Sequence, residues 1–294
     1  MLSQKQHKDT IALAVRAGQT ALLMRQLDQL NARQKTDEHY STVTDADIEA
    51  SNILVSGLSE LFPNFEIISE EDETHHEFGQ YRDAILIDPI DGTGQFSRGH
   101  ERFCVLISLI KDGEPVYGLA YYPDPRVSKI YFTSPINNNS YEQGVRMYGD
   151  GSFSLESFRQ LQTHKNSSKL RVSEVYSDAG TMLHDLDFRV VKGNSPSAYL
   201  DMLDNQTDLV TGPHTMMDWD IAAFDAIARK AGAFFIDADT RKPLKYGEVR
   251  SQDRAFMIPH YIAGSEELLR SSNLIDITSV PVCGIPTKGL KNEL

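Results

Sequence analysis

An apolar segment that ends in two aspartates constrains the fold of this chain more than any other feature. Residues 84–87 read Ala-Ile-Leu-Ile and are followed directly by Asp88, Pro89, Ile90 and Asp91. A short uninterrupted apolar run is typical of a strand that is covered on both faces. In sheets covered by helices, ligand sites gather at the carboxyl ends of such strands. The sequence therefore predicts a buried strand that delivers two carboxylates to a site.

The residues after this strand predict a turn that can bind a cation. Pro89 restricts Asp88 to extended geometry and is expected to end the hydrogen-bond ladder. The turn would then direct the carboxylates of Asp88 and Asp91, with the carbonyl of Ile90 between them, toward one point. Carboxylate and carbonyl oxygens are the ligands that Mg²⁺ and Ca²⁺ prefer.

The next segment, Gly92-Thr93-Gly94, offers unobstructed backbone N–H groups that suit a phosphate oxygen. Glycine-rich turns and the dipeptides Asp-Pro and Asp-Gly are common, so each alone is a weak indicator of function. An EF-hand is excluded because Thr93 occupies the sixth loop position, where glycine is required. A dinucleotide-binding loop lacks its last glycine, since Ser97 stands there.

Composition excludes several classes of protein. Among 294 residues, 29 Lys and Arg stand against 42 Asp and Glu, a formal net charge of −13. Because this charge repels phosphate backbones and no basic stripe appears, we expect no nucleic acid polymer as partner. We also expect no membrane, since no window approaches ~18 uninterrupted apolar residues. Cys104 and Cys283 form no CxxC pair, which favours a reduced, cytoplasmic setting.

Hydrophobic periodicity predicts an N-terminal α+β part over residues 1–160 and a C-terminal α/β part over residues 161–294. A polar stretch over residues 135–168 is interpreted as a surface excursion or a domain junction. Asp112-Gly113 predicts the turn of a hairpin. The helices are predicted at residues 8–30, 45–61, 195–203 and 219–231, and the strands at 65–68, 84–87, 104–110, 116–122, 130–132, 170–172, 188–191 and 233–236.

Three further acidic segments accompany the first. Asp47 lies in VTDAD at the start of a predicted helix, where capping alone favours aspartate. Glu70 lies in ISEED, where a predicted strand runs into a segment that is equally typical of a solvated loop. Asp218 and Asp220 flank the one tryptophan in MDWDIAA, again at a helix start.

Together VTDAD, ISEED, DPIDGT and WDIAA, in this order from Val43 to Gly232, resemble the inositol monophosphatase family of metal-dependent phosphomonoesterases. FCVLISLIKDGEPVYGLAYYP is similar to that family's central strands. The resemblance implies an α/β (α+β) fold, a layered αβαβα sandwich of the inositol monophosphatase and fructose-1,6-bisphosphatase type. It also implies a Mg²⁺-dependent enzyme that hydrolyses a small phosphorylated metabolite by attack of metal-activated water.

The resemblance assigns metal ligands residue by residue. Glu70, Asp88 and the Ile90 carbonyl would bind a first Mg²⁺, and Asp88, Asp91 and Asp220 a second. A third, more weakly bound ion would bind to Glu70 through water molecules. These two to three ions would neutralise the substrate phosphate before an in-line attack.

The same resemblance assigns the catalytic and substrate-binding residues. Asp47 and Thr93 would form a hydrogen-bonded pair that, with Glu70, orients and deprotonates the attacking water. The phosphate would lie on the N–H groups of Gly92 and Thr93. The substrate-binding positions are therefore Asp91, Gly92, Thr93 and Asp220.

Three segments outside these motifs favour the 3′(2′),5′-bisphosphate nucleotidase branch, which converts 3′-phosphoadenosine 5′-phosphate to AMP. They cover residues 96–103, 111–116 and 243–247. The alternatives are an inositol-1-monophosphatase, a histidinol-phosphate or fructose-1,6-bisphosphate phosphatase, and a non-catalytic metal- or inositide-binding module. Ser69 and Phe224 depart from the family pattern, which frequently has glycine at both positions.

Substrate contacts beyond the phosphate are less determined. A bisphosphorylated nucleotide needs a basic group and a surface for adenine, and Lys192, Lys245, Arg98 and Tyr246 are candidates. An inositol phosphate needs groups that bind hydroxyls, and Asp218 or Asn194 could serve. The resemblance further implies inhibition by Li⁺, and it leaves open whether the chain is a homodimer or a monomer.

Overall fold

The computed structural model describes residues 2–34, 42–72, 81–100, 102–124, 126, 128–163, 171–175, 189–193, 195–212, 216–248 and 257–269. None of the helices in these ranges is long and apolar enough to cross a membrane. The helices are α1 (Gln4–Gln26), α2 (Asp45–Leu61), α3 (Thr93–Phe96), α4 (Ser195–Leu203), α5 (Asp218–Ala231) and α6 (Glu266–Leu269).

A seven-stranded sheet forms the larger half of the described chain. Its first two strands are parallel and the others antiparallel. A short antiparallel pair, β1 (Arg33–Gln34) and β2 (Thr42–Val43), precedes it. The sheet runs in chain order through β3 (Glu66–Ser69), β4 (Ala84–Asp91), β5 (Cys104–Lys111), β6 (Glu114–Tyr122), β7 (Lys129–Thr133), β8 (Ser140–Met147) and β9 (Phe153–Gln160).

The second sheet has five strands in the order β11-β10-β12-β14-β13. The first three are parallel, and the last two run antiparallel to their neighbours. The strands are β10 (Arg171–Val175), β11 (Arg189–Gly193), β12 (Leu209–Gly212), β13 (Ala233–Asp237) and β14 (Tyr261–Ser265).

Helices and sheets alternate in five layers. On one face of the larger sheet, Leu54 of α2 and Val15 of α1 share a buried cluster with Ile85 and Ile87 of β4. The other face packs against α5 and α4, which also contact the smaller sheet. On the far side of that sheet, Leu268 of α6 closes a third cluster. The α-β-α-β-α order agrees with the layered sandwich expected from the sequence.

The course of β4 differs from the prediction. The strand continues through Pro89 to Asp91, so the expectation that Pro89 ends the ladder was wrong. Asp88 pairs with Leu106 and Asp91 with Cys104, and the register shifts between these pairs. This is a β-bulge, where proline is tolerated because no ladder donor is needed from it.

The polar stretch over residues 135–168 is also more regular than expected. Instead of an excursion, it contains β8 and β9, which extend the larger sheet. β9 is an edge strand with most of its side chains exposed, so its polar composition reflects solvent contact. Strands β12 and β14 were not predicted, whereas the predicted helices at 45–61 and 195–203 are confirmed with the same bounds. The division at residues 160 and 161 stays a prediction.

Candidate metal and phosphate site

Three carboxylates from three elements meet at the carboxyl ends of β3 and β4. One oxygen from each of Glu70, Asp88 and Asp220 lies within 4.8 Å of the other two. Oxygens on opposite sides of a Mg²⁺ ion with ~2.1 Å bonds are ~4.2 Å apart. The three side chains are therefore close enough together to take part in binding divalent cations.

The alternation of side chains along the strands explains this convergence. Ile68 of β3 and Leu86 of β4 belong to the buried cluster on the α5 face of the sheet. Residues two positions further along point the same way, so Glu70 and Asp88 also face α5. The backbone N–H of Glu70 donates to the carbonyl of Ile87 over 3.0 Å, which holds Glu70 beside the end of β4.

Asp220 reaches the site from the first turn of α5. Its Oδ2 accepts a hydrogen bond from the backbone N–H of Met217 over 2.8 Å, which closes the start of the helix. A carboxylate at this end of a helix is also stabilised by the helix dipole. The side chain of Asp220 therefore caps α5, as the sequence indicated, and also belongs to the carboxylate cluster.

Asp88 carries the strongest electrostatic signal in the cluster. Its side chain is 2% exposed. Burial raises its pKa well above the usual range, and the charges of Glu70, Asp91, Asp220 and Asp47 raise it further. Since protons or cations must offset such crowding, the cluster is suited to binding a divalent cation.

Asp47 links α2 to the turn after β4. Its Oδ2 accepts hydrogen bonds from the backbone N–H of Thr44 (2.7 Å) and from its hydroxyl (2.6 Å). Its Oδ1 lies 2.8 Å from the hydroxyl of Thr93, which is also 2.8 Å from the carbonyl oxygen of Ile90. Burial raises the pKa of Asp47 to about 6, although the bonds from Thr44 and Thr93 oppose the rise. Asp47 can therefore accept a proton passed through Thr93 near neutral pH.

Gly92 begins α3 in a left-handed conformation, with φ at 92°. Glycine adopts this conformation without steric cost, which allows the chain to turn sharply from β4 into the short helix. The first N–H groups of a helix have no acceptor within the helix. The turn formed by Gly92, Thr93 and Gly94 therefore presents donors next to the carboxylates.

Asp91 lies beside this cluster but outside the three carboxylates that share one point among the described residues. Its Oδ2 is 3.9 Å from the thiol sulfur of Cys104, its partner across β4 and β5. Burial and the charge of Asp91 raise the pKa of that thiol, so the thiol is protonated and donates. This contact was not predicted from the sequence, although the register of the predicted strands could have indicated it.

Lys245 and Tyr246, two candidates for contacts to a nucleotide, lie away from this site. Lys245 pairs with Glu114, and the buried hydroxyl of Tyr246 donates to Asp225 over 2.8 Å. Glu114 begins β6 in the hairpin with β5, at the end of the sheet where β4 starts. Because the carboxylates are toward the opposite end of β4, the structure does not bring these two candidates into the carboxylate cluster.

The remaining candidates differ in their positions. Arg98 is exposed, and its Nε donates to the carbonyl of Gly94 over 2.7 Å, which places it next to the α3 turn. Asp218 is fully buried and accepts from the hydroxyl of Tyr81 and the N–H of Gly247. Both bonds are accepted by Oδ2 of Asp218. Asn194 and Cys283 lie outside the described residues. For Lys192, only the backbone is described.

Comparison with known proteins agrees with this geometry. The family model described as the inositol monophosphatase family matches residues 4–272. A 3′(2′),5′-bisphosphate nucleotidase CysQ from Salmonella typhimurium is 32% identical over 213 residues, which is 70% of this chain and 79% of that protein. Another from Aggregatibacter actinomycetemcomitans is 27% identical and covers 87% of this chain and 91% of that protein.

Two solved structures show the same fold. CysQ from Bacteroides thetaiotaomicron superposes with a TM-score of 0.67 at 21% identity, covering 90% of this chain and 98% of that chain. An IMPase from Thermotoga maritima gives a TM-score of 0.65 at 18% identity, covering 94% and 98%. These similarities confirm the fold class expected from the four acidic motifs.

Proposed function

The chain belongs to the inositol monophosphatase family and is a phosphoric monoester hydrolase, and from this premise we propose that its substrate is a 3′(2′),5′-bisphosphate nucleotide. The observation that carries the proposal is the similarity to nucleotidases named CysQ over most of the chain. The proposed reaction is hydrolysis of 3′-phosphoadenosine 5′-phosphate to AMP. Arg98, beside the α3 turn, would contact the second phosphate.

The proposed cofactor is Mg²⁺, in two to three ions. Glu70, Asp88 and the Ile90 carbonyl would hold the first, and Asp88, Asp91 and Asp220 the second. When bound, the ions would neutralise the phosphate oxygens and lower the pKa of a water molecule. The buried acidic cluster around Asp88 supports this assignment.

The residues of the chain would perform the remaining steps. The N–H groups of Gly92 and Thr93 would hold the phosphate in place. Thr93 would accept the proton of the attacking water as its own proton passes to Asp47, and Glu70 would orient that water. The 2.8 Å bond from Thr93 to Asp47 supports this relay, because proton transfer requires contact at this range.

The setting and inhibition of the enzyme are part of the proposal. We propose a cytoplasmic enzyme in which Li⁺ competes with Mg²⁺ for the second position. Measurement of Mg²⁺-dependent phosphate release against Li⁺ concentration would test the competition. Sedimentation of the purified protein would decide between a monomer and a homodimer.

Comparison of kcat/KM on 3′-phosphoadenosine 5′-phosphate and inositol 1-phosphate tests the substrate. Fructose 1,6-bisphosphate and histidinol phosphate complete the panel. We expect the highest kcat/KM on the nucleotide, and a preference for inositol 1-phosphate would overturn the assignment.

Asp88→Asn should remove nearly all Mg²⁺-dependent phosphate release while the fold is kept, and turnover like that of the wild type would refute the metal site.

A further inference from the structure

A hydrogen bond between two buried serines joins the elements that carry Asp47 and Glu70. The hydroxyl oxygens of Ser51 in α2 and Ser69 in β3 are 2.8 Å apart. Ser69 is fully buried and Ser51 is 7% exposed, so solvent cannot replace the bond. A buried hydroxyl that loses its partner keeps the cost of its desolvation. The pair therefore constrains α2 against the end of β3.

Ser69 also holds the backbone around Glu70. Its hydroxyl oxygen is 3.4 Å from the backbone N of Glu71, and its carbonyl accepts from the N–H of Asp72 over 3.1 Å. Glu70 thus lies in a turn in which the two backbone N–H groups that follow it donate to atoms of Ser69. Because side chains alternate along β3, Ser69 faces α2 whereas Glu70 faces the carboxylate cluster.

Ser51 stands one helical turn after Asp47 in α2. Residues four positions apart lie on the same face of a helix, so both side chains face the end of the sheet. Asp47 bonds Thr93 from this face, and Ser51 bonds Ser69. The contact between Ser51 and Ser69 therefore adds a polar link, beside the apolar packing of α2 on the sheet, between the elements that carry Asp47 and Glu70.

We propose that Ser51 and Ser69 are positioning residues that keep the carboxylates of Asp47 and Glu70 correctly placed relative to each other for the reaction. The inference rests on the proposed roles of Asp47 and Glu70. Both hydroxyls are bonded within the protein.

The test uses Ser51→Ala, Ser69→Ala, the double variant and Ser69→Gly in the full chain. Each is measured for melting temperature, for Mg²⁺ affinity by calorimetry without substrate, and for kcat and KM on 3′-phosphoadenosine 5′-phosphate. Thr10→Ala is the matched control, because the buried hydroxyl of Thr10 donates to the Gln6 carbonyl within α1.

We expect each single variant to weaken Mg²⁺ binding about tenfold, as loss of an outer support of a metal ligand does. We expect kcat at saturating Mg²⁺ to fall about tenfold through misplaced reacting groups, with KM little changed. The double variant should have a Mg²⁺ affinity and a kcat no lower than those of the more affected single variant, because all three variants lose the same hydrogen bond.

Two results would overturn the proposal. One is a lower melting temperature with wild-type kcat and Mg²⁺ affinity, as expected for Thr10→Ala. The other is independent losses that multiply in the double variant. Ser51→Ala keeps the experiment decisive if a change at Ser69 prevents folding, since alanine favours the helix. Failure of the proposed function itself would appear separately, as a wild-type enzyme without activity on the substrate panel.

Discussion

Gly118 of β6 lies directly under Ala223 of α5, at a distance that leaves no room for a side chain. A Cβ added to Gly118 would be 2.1 Å from the carbonyl oxygen of Ala223 and 2.9 Å from the Cβ of Ala226. Glycine at this position allows α5 to approach the sheet closely. Since Asp220 lies in the first turn of that helix, this approach also brings its carboxylate to Glu70 and Asp88.

We therefore expect Gly118→Ala to destabilise the protein by about 1–3 kcal/mol, because overpacked contacts force backbone shifts. Mg²⁺ binding should weaken as α5 moves outward with Asp220. Thermal denaturation and calorimetry measure the two effects. Gly149→Ala is the control, since nothing lies within 4 Å of the added Cβ. A Gly118→Ala variant as stable as the control would contradict the packing argument.

Asp47→Asn should lower kcat at least about 100-fold, because an amide cannot accept the proton that Thr93 would pass on. Its amide oxygen can still accept from Thr44, so the melting temperature should change little. Steady-state kinetics and circular dichroism provide the measurements. The control is Asp45→Asn in the same helical turn, where the carboxylate pairs with Arg33 at 3.1 Å on the surface. Equal losses in both variants would rule out a specific role for Asp47.

Removal of Mg²⁺ should destabilise the protein more at pH 8 than at pH 5. In the metal-free protein, the pKa of Asp47 is raised to about 6, and burial among other carboxylates raises the pKa of Asp88 well above its usual range. A carboxyl whose folded pKa is raised contributes stability at low pH, which is lost as the pH rises through the folded pKa. Bound Mg²⁺ would offset the repulsion among the ionised carboxylates, so the rise in melting temperature on adding Mg²⁺ should grow from pH 5 to pH 8. A shift that is constant across this range would show that the cluster is not what binds Mg²⁺.

Acid should loosen the contact between α1 and the larger sheet through His7. Its Nδ1 is 2.9 Å from the hydroxyl of Tyr117, and burial lowers its pKa from 6.5 to about 4. The unfolded chain binds a proton at higher pH than the folded one, so stability is lost as the pH falls from 6.5 toward 4. The ring is partly solvated, which limits the loss to about 1 kcal/mol.

The melting temperature, measured between pH 7 and pH 5 at a constant Mg²⁺ concentration, tests the role of His7. His7→Gln should remove part of the decline that the wild type shows. His100→Gln, at an exposed turn, should leave the decline unchanged. The prediction fails if the His7→Gln and wild-type curves stay parallel.

Local signals account for what sequence analysis predicted of the fold. Helix α2 was predicted with its bounds, because Thr44 caps its start and apolar residues follow at helical spacing. Strands β4 and β5 were also predicted, because each contains a run of consecutive apolar residues. The short strands β12 and β14 and the exposed β9 lack such runs. Their strand geometry depends on pairing with neighbours, which a local pattern does not contain.

The sequence by itself determined which carboxylates the chain has and where they lie on their elements, since capping and strand alternation are local. Through the resemblance of its four acidic motifs to one family, it also identified Asp47, Asp91, Glu70, Asp88 and Asp220 as candidates. Only the tertiary structure decided that one oxygen from each of the last three falls within 4.8 Å of the others. It also turned Asp91 toward Cys104. The physical reason is that such convergence depends on strand pairing and on the depth at which α5 packs, which burial of the whole core decides.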